Sequence, residues 1–138
     1  MAPLTWGRRF LLCRPVHFTV AYEINPYMHV QVHPDPELAL AEHDGLVSTL
    51  TAAGAELEFM DPVPGLPDLV FTANAGVVDG VAFVPSRFRH PERQGETAHD
   101  VEWFSRRGFA VTPLPDEEPF EGAGDVLPFG GGPGGAHG

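Results

Sequence analysis

The feature that most constrains the fold of this chain is a repeat in which a predicted helix ends at a glycine and a strand follows. Gly54 ends the first helical pattern and is followed by an apolar, strand-like run at residues 55–60. Gly108 ends the second pattern, 54 residues further on, and the corresponding run occupies residues 109–114. Repeats of this size are typical of structural units that stack and bury their apolar faces against one another. We therefore predict a chain built from similar α/β units.

Each repeat continues into a proline-rich loop and then into an aspartate that precedes apolar residues. Asp68 opens one such run and Asp125 opens the other. The matching positions predict that both aspartates begin a strand and bind loop amides, which is a structural role rather than a catalytic one. A further strand is predicted at residues 9–13, where an apolar run ends at Arg14 and Pro15.

Two helices are predicted from apolar residues at helical spacing. The first is capped by Asp35 or a residue next to it, has Pro36 in its first turn and ends at Gly54. Its inward face comprises Ala39, Leu46, Val47, Leu50 and Ala53. The second runs from about residue 96 to residue 107 and ends at Gly108. Its inward residues are Val101 and Phe104.

A β-hairpin is predicted where the apolar runs 67–78 and 81–84 are separated by an Asp-Gly pair. Asn74 is the odd residue in the first run, because an amide among apolar side chains is favourable only if it caps a bend or meets a ligand. Two interpretations follow. Asn74 either bonds the local backbone before Gly76, or it contacts a ligand.

Two stretches lack apolar periodicity and are predicted to be loops. Residues 16–32 contain Asn25 before Pro26, and this asparagine either favours the extended geometry that precedes a proline or binds a ligand. Residues 85–96 are basic, which indicates a surface loop.

The charge balance limits the classes of partner. The chain has 8 Lys plus Arg and 19 Asp plus Glu, for a net charge of −11. This excess of acid disfavours nucleic acid and anionic membranes as partners. It suits a cationic small molecule, although an acidic surface is also a common way to keep a protein in solution.

Cysteine usage indicates a reducing compartment. Cys13 is the single cysteine, so no internal disulfide forms, and we expect a cytoplasmic protein in which Cys13 packs as a small apolar side chain. The paired arginines Arg8 and Arg9 precede an apolar run too short for an export signal, and no segment approaches the ~20 apolar residues of a membrane span.

A metal site is not predicted. His29 and His33 have a spacing that suits metal binding on a helix, but Pro34 and the β-branched Val30 and Val32 oppose a helix there. Zinc sites also need three or four protein ligands, and no third ligand is in reach in the sequence.

Three strings of residues together carry a resemblance to a known family. They are Pro-Asp-Leu-Val-Phe-Thr-Ala-Asn-Ala-Gly at 67–76, Arg-Phe-Arg-His-Pro-Glu-Arg-Gln-Gly-Glu at 87–96, and Phe-Glu-Gly-Ala-Gly-Asp at 120–125. The chain resembles the guanidino-group-modifying enzymes of the pentein fold from about residue 10 to residue 127. That superfamily includes amidinotransferases, arginine deiminases, dimethylarginine dimethylaminohydrolases and arginine dihydrolases.

The resemblance implies an α/β fold in which ββαβ units surround a pseudo-fivefold axis as an α/β propeller. Residues 1–129 would then form the N-terminal part of a pentein domain, with about two units and the start of a third. Residues 130–138 are rich in glycine, and we expect them to be a disordered tail at a truncated or frame-shifted gene end. The edges of so few units would be uncovered, which predicts self-association.

The same resemblance implies a hydrolase that cleaves a C–N bond of arginine or a related guanidino compound and needs no cofactor. In such enzymes a His and a C-terminal Cys perform covalent catalysis. Neither has a match here, and Cys13 is not the equivalent of that cysteine. We expect a chain with substrate-binding residues and no nucleophile; the alternative is a non-catalytic fragment or guanidino-binding module.

The resemblance also implies four substrate-binding residues. Asn25 would bind the amino-acid end of the substrate, and Asn74 and Glu121 would accept hydrogen bonds from its guanidinium. Arg93 would pair with its α-carboxylate, unless Arg93 belongs to a solvated basic loop or a neighbouring arginine takes that role. Asn74 stands where dimethylarginine hydrolases place an aspartate, which favours the arginine dihydrolase-like branch.

Overall fold

The computed structural model describes residues 8–115 and 117–126, and it divides into two compact units whose boundary lies between Thr72 and Ala73. Each unit contains a small β-sheet and helical segments. The glycine-rich tail predicted at residues 130–138 and the continuation of a strand at Leu127 lie outside the described residues.

The first unit has a βαβ order. Strands β1 (Arg9–Cys13) and β2 (Glu56–Met60) confirm the two strands predicted at residues 9–13 and 55–60, and the structure pairs them in parallel along their whole length. Helix α1 (Pro36–Ala52) provides the crossover connection that a parallel pair requires. The buried apolar residues of this unit include Cys13, Met60 and Leu69.

Helix α1 begins where the sequence predicts. Oδ1 of Asp35 accepts hydrogen bonds from the backbone N–H groups of Glu37 at 3.0 Å and Leu38 at 3.3 Å, and Pro36 occupies the first turn. These bonds satisfy backbone donors that the first turn of a helix leaves without an intrahelical acceptor. The predicted cap is confirmed.

The inward face of α1 is only partly as predicted. Ala39, Val47 and Leu50 are half-buried, whereas Leu46 and Ala53 are exposed. The buried stripe is centred closer to His43, which is also half-buried and lies one helical turn after Ala39. Apolar spacing alone shifted the predicted face because the histidine was not counted among the inward residues.

The two glycines of the repeat end their helices in the same way. Gly54 has φ 90° and Gly108 has φ 87°, a left-handed geometry that other residues rarely adopt. After the first helix, the amide of residue 55 donates to the Leu50 carbonyl at 3.0 Å, and after the second the amide of residue 109 donates to the Phe104 carbonyl at 3.1 Å. Both ends are Schellman motifs, so the predicted repeat of helix ends is confirmed.

The second unit has the order strand, strand, two helices, strand. Strands β3 (Gly76–Asp79) and β4 (Ala82–Pro85) form the predicted antiparallel hairpin. Two consecutive helices follow, α2 (Pro91–Gln94) and α3 (Glu96–Arg106). Strand β5 (Ala110–Val111) then pairs in parallel with β4.

An aromatic stack joins the sheet and the helix of this unit. Phe83 of β4 and Phe104 of α3 are both buried, and their rings stack with centroids 3.8 Å apart at an interplanar angle of 7°. Phe109 meets Phe104 edge-on, with ring centroids 5.2 Å apart. Such pairs stabilise a core by about 0.5–1.5 kcal/mol beyond the area that they bury. The inward orientation predicted for Phe104 is confirmed.

The predicted strand at residues 67–78 is wrong before Gly76. Residues Pro67–Val70 and Thr72–Asn74 form short 3₁₀ turns. Pro67 has no backbone N–H for a sheet, and the amide of Phe71 donates to the Asp68 carbonyl at 3.0 Å, so these backbone groups are satisfied locally. The Asp68 carboxylate accepts from the Tyr22 hydroxyl at 2.5 Å instead of opening a strand.

Two further strand predictions are corrected. The strand expected at residues 109–114 is limited to β5, because only its first part lies beside β4. Asp125 does not begin a strand at its described position but follows a 3₁₀ turn, Gly122–Gly124. Its Oδ2 accepts a hydrogen bond from the Glu121 amide at 2.8 Å, which agrees with the predicted structural role in binding loop amides.

Within the described residues, no helix is both long and apolar enough to cross a bilayer.

Candidate functional site

Asn74 ends the 3₁₀ turn that precedes β3, and its half-buried side chain is held by groups distant in sequence. Its Nδ2 donates to the backbone carbonyl of Glu121 at 3.0 Å, and its Oδ1 accepts from a terminal nitrogen of Arg93 at 3.1 Å. The Ser86 hydroxyl donates to the Asn74 backbone carbonyl. Because these partners lie outside its own turn, the amide joins three segments rather than bonding locally before Gly76.

Arg93 is buried in α2, so the surface loop predicted at residues 85–96 is wrong at this position. Its Nε and a terminal nitrogen donate to the two carboxylate oxygens of Glu96 at 2.8 and 2.9 Å. The guanidinium carbon lies 4.4 Å from the centroid of the Phe88 ring. The bidentate carboxylate and the aromatic face compensate the desolvated guanidinium, which permits its burial.

Glu121 is placed by its neighbours in sequence. Arg87 and Phe120 exchange backbone hydrogen bonds of 2.6 and 2.8 Å in an isolated antiparallel bridge. The Glu121 side chain is half-buried, and its Oε1 accepts from the Arg89 amide at 3.3 Å. Glu121 therefore joins the group through its backbone carbonyl, which accepts from Asn74, while its carboxylate is bonded to the Arg89 amide.

Gly122 permits the approach of this segment to Asn74. Its φ is 57°, and a Cβ placed there would lie 2.6 Å from the Ala73 carbonyl oxygen and 3.0 Å from backbone atoms of Asn74. A side chain is excluded both by conformation and by contact. The close approach to Asn74 is a physical reason for a glycine at this position of the 120–125 string.

Two buried acids of α3 were missed by the sequence reasoning. Glu96 is 2% exposed and Asp100 is 1% exposed, and they lie one helical turn apart. Burial, followed by the charge of Glu96, raises the pKa of Asp100 to about 7, whereas Arg93 acts in the opposite direction. Oδ2 of Asp100 has no hydrogen-bond partner among the described residues. The signal available in the sequence was the spacing of these two acids on one helix face after an arginine.

Asn25 lies in the first unit and is exposed. Its Oδ1 accepts a hydrogen bond from the Tyr27 amide at 2.9 Å, which forms a local turn around Pro26. This contact is local, and both the extended geometry before Pro26 and a role of Asn25 toward a substrate stay predictions.

A cavity of about 350 Å³ in the second unit borders the hydrogen-bonded group around Asn74 through Ser86 and Phe88, but Asn74, Arg93 and Glu121 do not line it. It is lined by Pro85, Ser86, Arg87, Phe88, Gln94, Thr97 and Pro113. We define the candidate site by the hydrogen-bonded group, because its polar contacts are directional and two of its charged side chains, Arg93 and Glu96, are buried. Across residues 8–115 and 117–126, no three His, Cys, Asp or Glu side chains are grouped to hold a metal ion.

Comparison with known proteins shows which enzymes this chain is similar to in sequence. No family model matches it. AgrE, a bifunctional arginine dihydrolase/ornithine cyclodeaminase from Nostoc sp., is 48% identical over 120 residues, which are 86% of this chain and 17% of that protein. The N(G),N(G)-dimethylarginine dimethylaminohydrolase of Mycobacterium tuberculosis is 38% identical over 123 residues, or 89% of this chain and 40% of that enzyme.

Solved structures agree. One of them is the N-terminal domain of a variant of ArgZ, an arginine dihydrolase from cyanobacteria, crystallised with substrate. The match covers 86% of this chain and 44% of the ArgZ chain, with 46% identity and a TM-score of 0.81. A variant of AgrE in complex with L-arginine matches with 47% identity and a TM-score of 0.80, over 85% of this chain and 17% of that chain. The chain is a homologue of the pentein-fold guanidino-modifying enzymes.

The pentein-fold relationship confirms the resemblance on which the sequence reasoning depended, and it agrees with the observed mixture of helices and small sheets. The chain spans less than half the length of these curated pentein relatives. Within its second unit, the structure brings together three of the four predicted site residues: Asn74, Arg93 and Glu121. Their roles toward a substrate stay predictions.

Proposed function

We propose that this chain is the guanidinium-binding part of a hydrolase that cleaves a C–N bond of arginine or a closely related guanidino compound. The observation that supports this most is the Asn74 amide, which is oriented by Arg93 and by the Glu121 backbone. It occurs in a chain 48% identical over 120 residues to AgrE, an arginine dihydrolase.

The chemistry of the group suits a guanidinium. A guanidinium presents a planar fork of N–H donors, which needs acceptor oxygens and a counter-charge. Asn74 supplies an acceptor without charge, and the carboxylate of Glu121 supplies an acceptor with charge. In this proposal Glu121 contributes most of the electrostatic attraction and Asn74 contributes direction. The net charge of −11 favours the approach of a cationic substrate.

The proposal also assigns the amino-acid end of the substrate. By resemblance, Arg93 would pair with the α-carboxylate of the substrate, and Asn25 would bind the same end. The support for Arg93 is its fixed position beside Asn74, at 3.1 Å. Asn25 is supported by resemblance alone.

We infer further that residues 1–129 correspond to about two ββαβ units of a pentein α/β propeller and the start of a third. The order of β3, β4, α3 and β5 in the second unit is one ββαβ unit, which supports this assignment. The equal helix ends at Gly54 and Gly108 support a repeated unit.

The chain is proposed to bind without supplying the nucleophile. Cys13, the single cysteine, is 2% exposed and belongs to β1 in the first unit. A reactive thiol needs access and an electropositive setting that stabilises the thiolate, and this buried position provides little access. The alternative is a guanidino-binding module with no catalytic role.

Calorimetry and product assays on the purified chain test the proposal. We expect L-arginine to bind and to be weakened by Glu121→Gln, while Glu118→Gln, an exposed acid of the same segment, binds as the wild type does. We expect no release of ornithine, citrulline or ammonia. Absence of arginine binding would contradict the guanidinium site, and turnover that persists in Cys13→Ser would contradict a binding-only chain.

A further inference from the structure

Glu96, one of the two buried acids of α3, is connected to the Asn74 amide through the guanidinium of Arg93. Arg93 uses two nitrogens on the two carboxylate oxygens of Glu96, at 2.8 and 2.9 Å. Its other terminal nitrogen donates to Asn74 Oδ1 at 3.1 Å. Any movement of the Arg93 fork on Glu96 therefore changes the hydrogen bond that orients the Asn74 amide.

The charges in this group do not balance if both acids are ionised. Glu96 and Asp100 are buried one helical turn apart, and the charged groups that act on Asp100 are Glu96 of α3 and Arg93 of α2. One cation and two buried carboxylates leave a net negative charge away from water, which is strongly unfavourable. One bound proton removes that imbalance.

Asp100 is the acid that retains the proton. Both oxygens of Glu96 accept hydrogen bonds from Arg93, and these bonds stabilise its ionised form. Oδ2 of Asp100 has no hydrogen-bond partner among the residues that the structure describes. In agreement, burial and the Glu96 charge raise the pKa of Asp100 to about 7.

We propose that Asp100 is a positioning residue, which as a neutral acid leaves Glu96 to hold Arg93 and thereby fixes the orientation of the Asn74 amide. This inference rests on the proposed function in that the amide is taken to receive a guanidinium. When Asp100 loses its proton, it repels Glu96 and competes for the Arg93 guanidinium. The Arg93–Asn74 bond then loosens, so the candidate site is ordered below neutral pH and disordered above it.

Nuclear magnetic resonance of the full chain tests this without any ligand. The side-chain ¹⁵N amide resonance of Asn74, assigned by its loss in Asn74→Ala, is followed from pH 5.5 to pH 8.5, a window chosen around the pKa of about 7. We expect it to shift with a midpoint near 7 in the wild type and to lose that titration in Asp100→Asn. Glu102→Gln, an exposed acid of the same helix, is expected to keep the wild-type midpoint.

Two results would overturn the proposal: an Asn74 resonance that is independent of pH in the wild type, or one that titrates equally in Asp100→Asn. If Asp100→Asn does not fold, ¹³C labelling of the aspartate carboxyl carbons in the wild type decides instead. A carboxyl of Asp100 that titrates near 3.8, its ordinary value, contradicts the proposal, and one that titrates near 7 supports it.

The failure of this proposal is distinguishable from the failure of the proposed function. If the Asn74 resonance titrates in a way that depends on Asp100 but the chain binds no L-arginine, the positioning role is supported and the proposed guanidinium site is contradicted. In a chain that binds L-arginine, we expect affinity to fall above pH 7 in the wild type and to stay level in Asp100→Asn. Equal falls in both proteins would overturn the positioning role alone.

Discussion

Asn74 and Glu121 present two kinds of hydrogen-bond acceptor, a neutral amide and a carboxylate. Substituting each in turn distinguishes the contribution of a directional neutral hydrogen bond from that of a charged one. We expect Glu121→Gln to weaken L-arginine binding by about 1.5–3 kcal/mol and Asn74→Ala by about 1 kcal/mol, the ranges for hydrogen bonds to charged and neutral groups. Titration calorimetry measures both. The reverse order would mean that the amide is the main determinant of specificity.

At the same scale, Gly122 and Gly108 form a matched pair. Both have positive φ, but a Cβ at Gly122 would lie 2.6 Å from the Ala73 carbonyl oxygen, whereas one at Gly108 meets nothing within 4 Å. Gly108→Ala should therefore lower the free energy of unfolding by about 1–2 kcal/mol, the cost of left-handed geometry, and Gly122→Ala by more. Urea denaturation compares the two, and equal losses would show that the segment at Gly122 relaxes without cost.

At the scale of elements, α1 depends on its cap more than on a buried face. None of its residues is fully buried, so the bonds from Asp35 to the amides of Glu37 and Leu38 are a large part of what holds its first turn. Asp35→Ala should reduce the free energy of unfolding by about 0.5–2 kcal/mol, and Asp35→Asn should retain most of it because asparagine also caps. Thermal unfolding followed by circular dichroism measures both, and an Asp35→Ala protein as stable as the wild type would contradict a role for the cap.

At the scale of the whole molecule, the buried Asp100 and the half-buried His43 give opposite dependences of stability on pH. The pKa of Asp100 is raised from 3.8 to about 7, so between these values the folded chain retains a proton that the unfolded chain releases. Its contribution to stability therefore falls as pH rises through this window, by at most about 1.4 kcal/mol per pH unit. Burial lowers the pKa of His43 below 6.5, so the unfolded chain binds that proton first and stability falls as pH drops below 6.5.

Urea denaturation across pH 4 to pH 8 separates these groups. Asp100→Asn should remove the loss of stability that accompanies rising pH toward 7, and His43→Gln should reduce the loss on the acid side. A loss toward pH 7 that is as steep in Asp100→Asn as in the wild type would show that another group binds the proton. Self-association through uncovered strand edges stays a prediction, which sedimentation at several concentrations tests.

The sequence by itself determined the features that depend on neighbouring residues. The cap at Asp35, the helix ends at Gly54 and Gly108 and the hairpin turn follow from contacts within a few residues and from the backbone freedom of glycine. The resemblance found in the three strings also predicted that Asn74 and Glu121 share one site; the structure bonds the Asn74 amide to the Glu121 backbone, and their role toward a substrate stays a prediction.

Only the tertiary structure decided the turns at Pro67–Val70 and Thr72–Asn74, and the burial of Arg93, Glu96 and Asp100. An apolar run predicts a strand when its backbone partners are unknown, but the backbone of residues 67–74 forms local hydrogen bonds instead. A charged side chain is predicted to be exposed unless its counter-ion is known. Arg93 is buried because Glu96 pairs with its guanidinium and Phe88 packs against it. These outcomes depend on partners that local sequence patterns do not specify, since the energy of a buried charge or an open backbone group is set by what surrounds it in space.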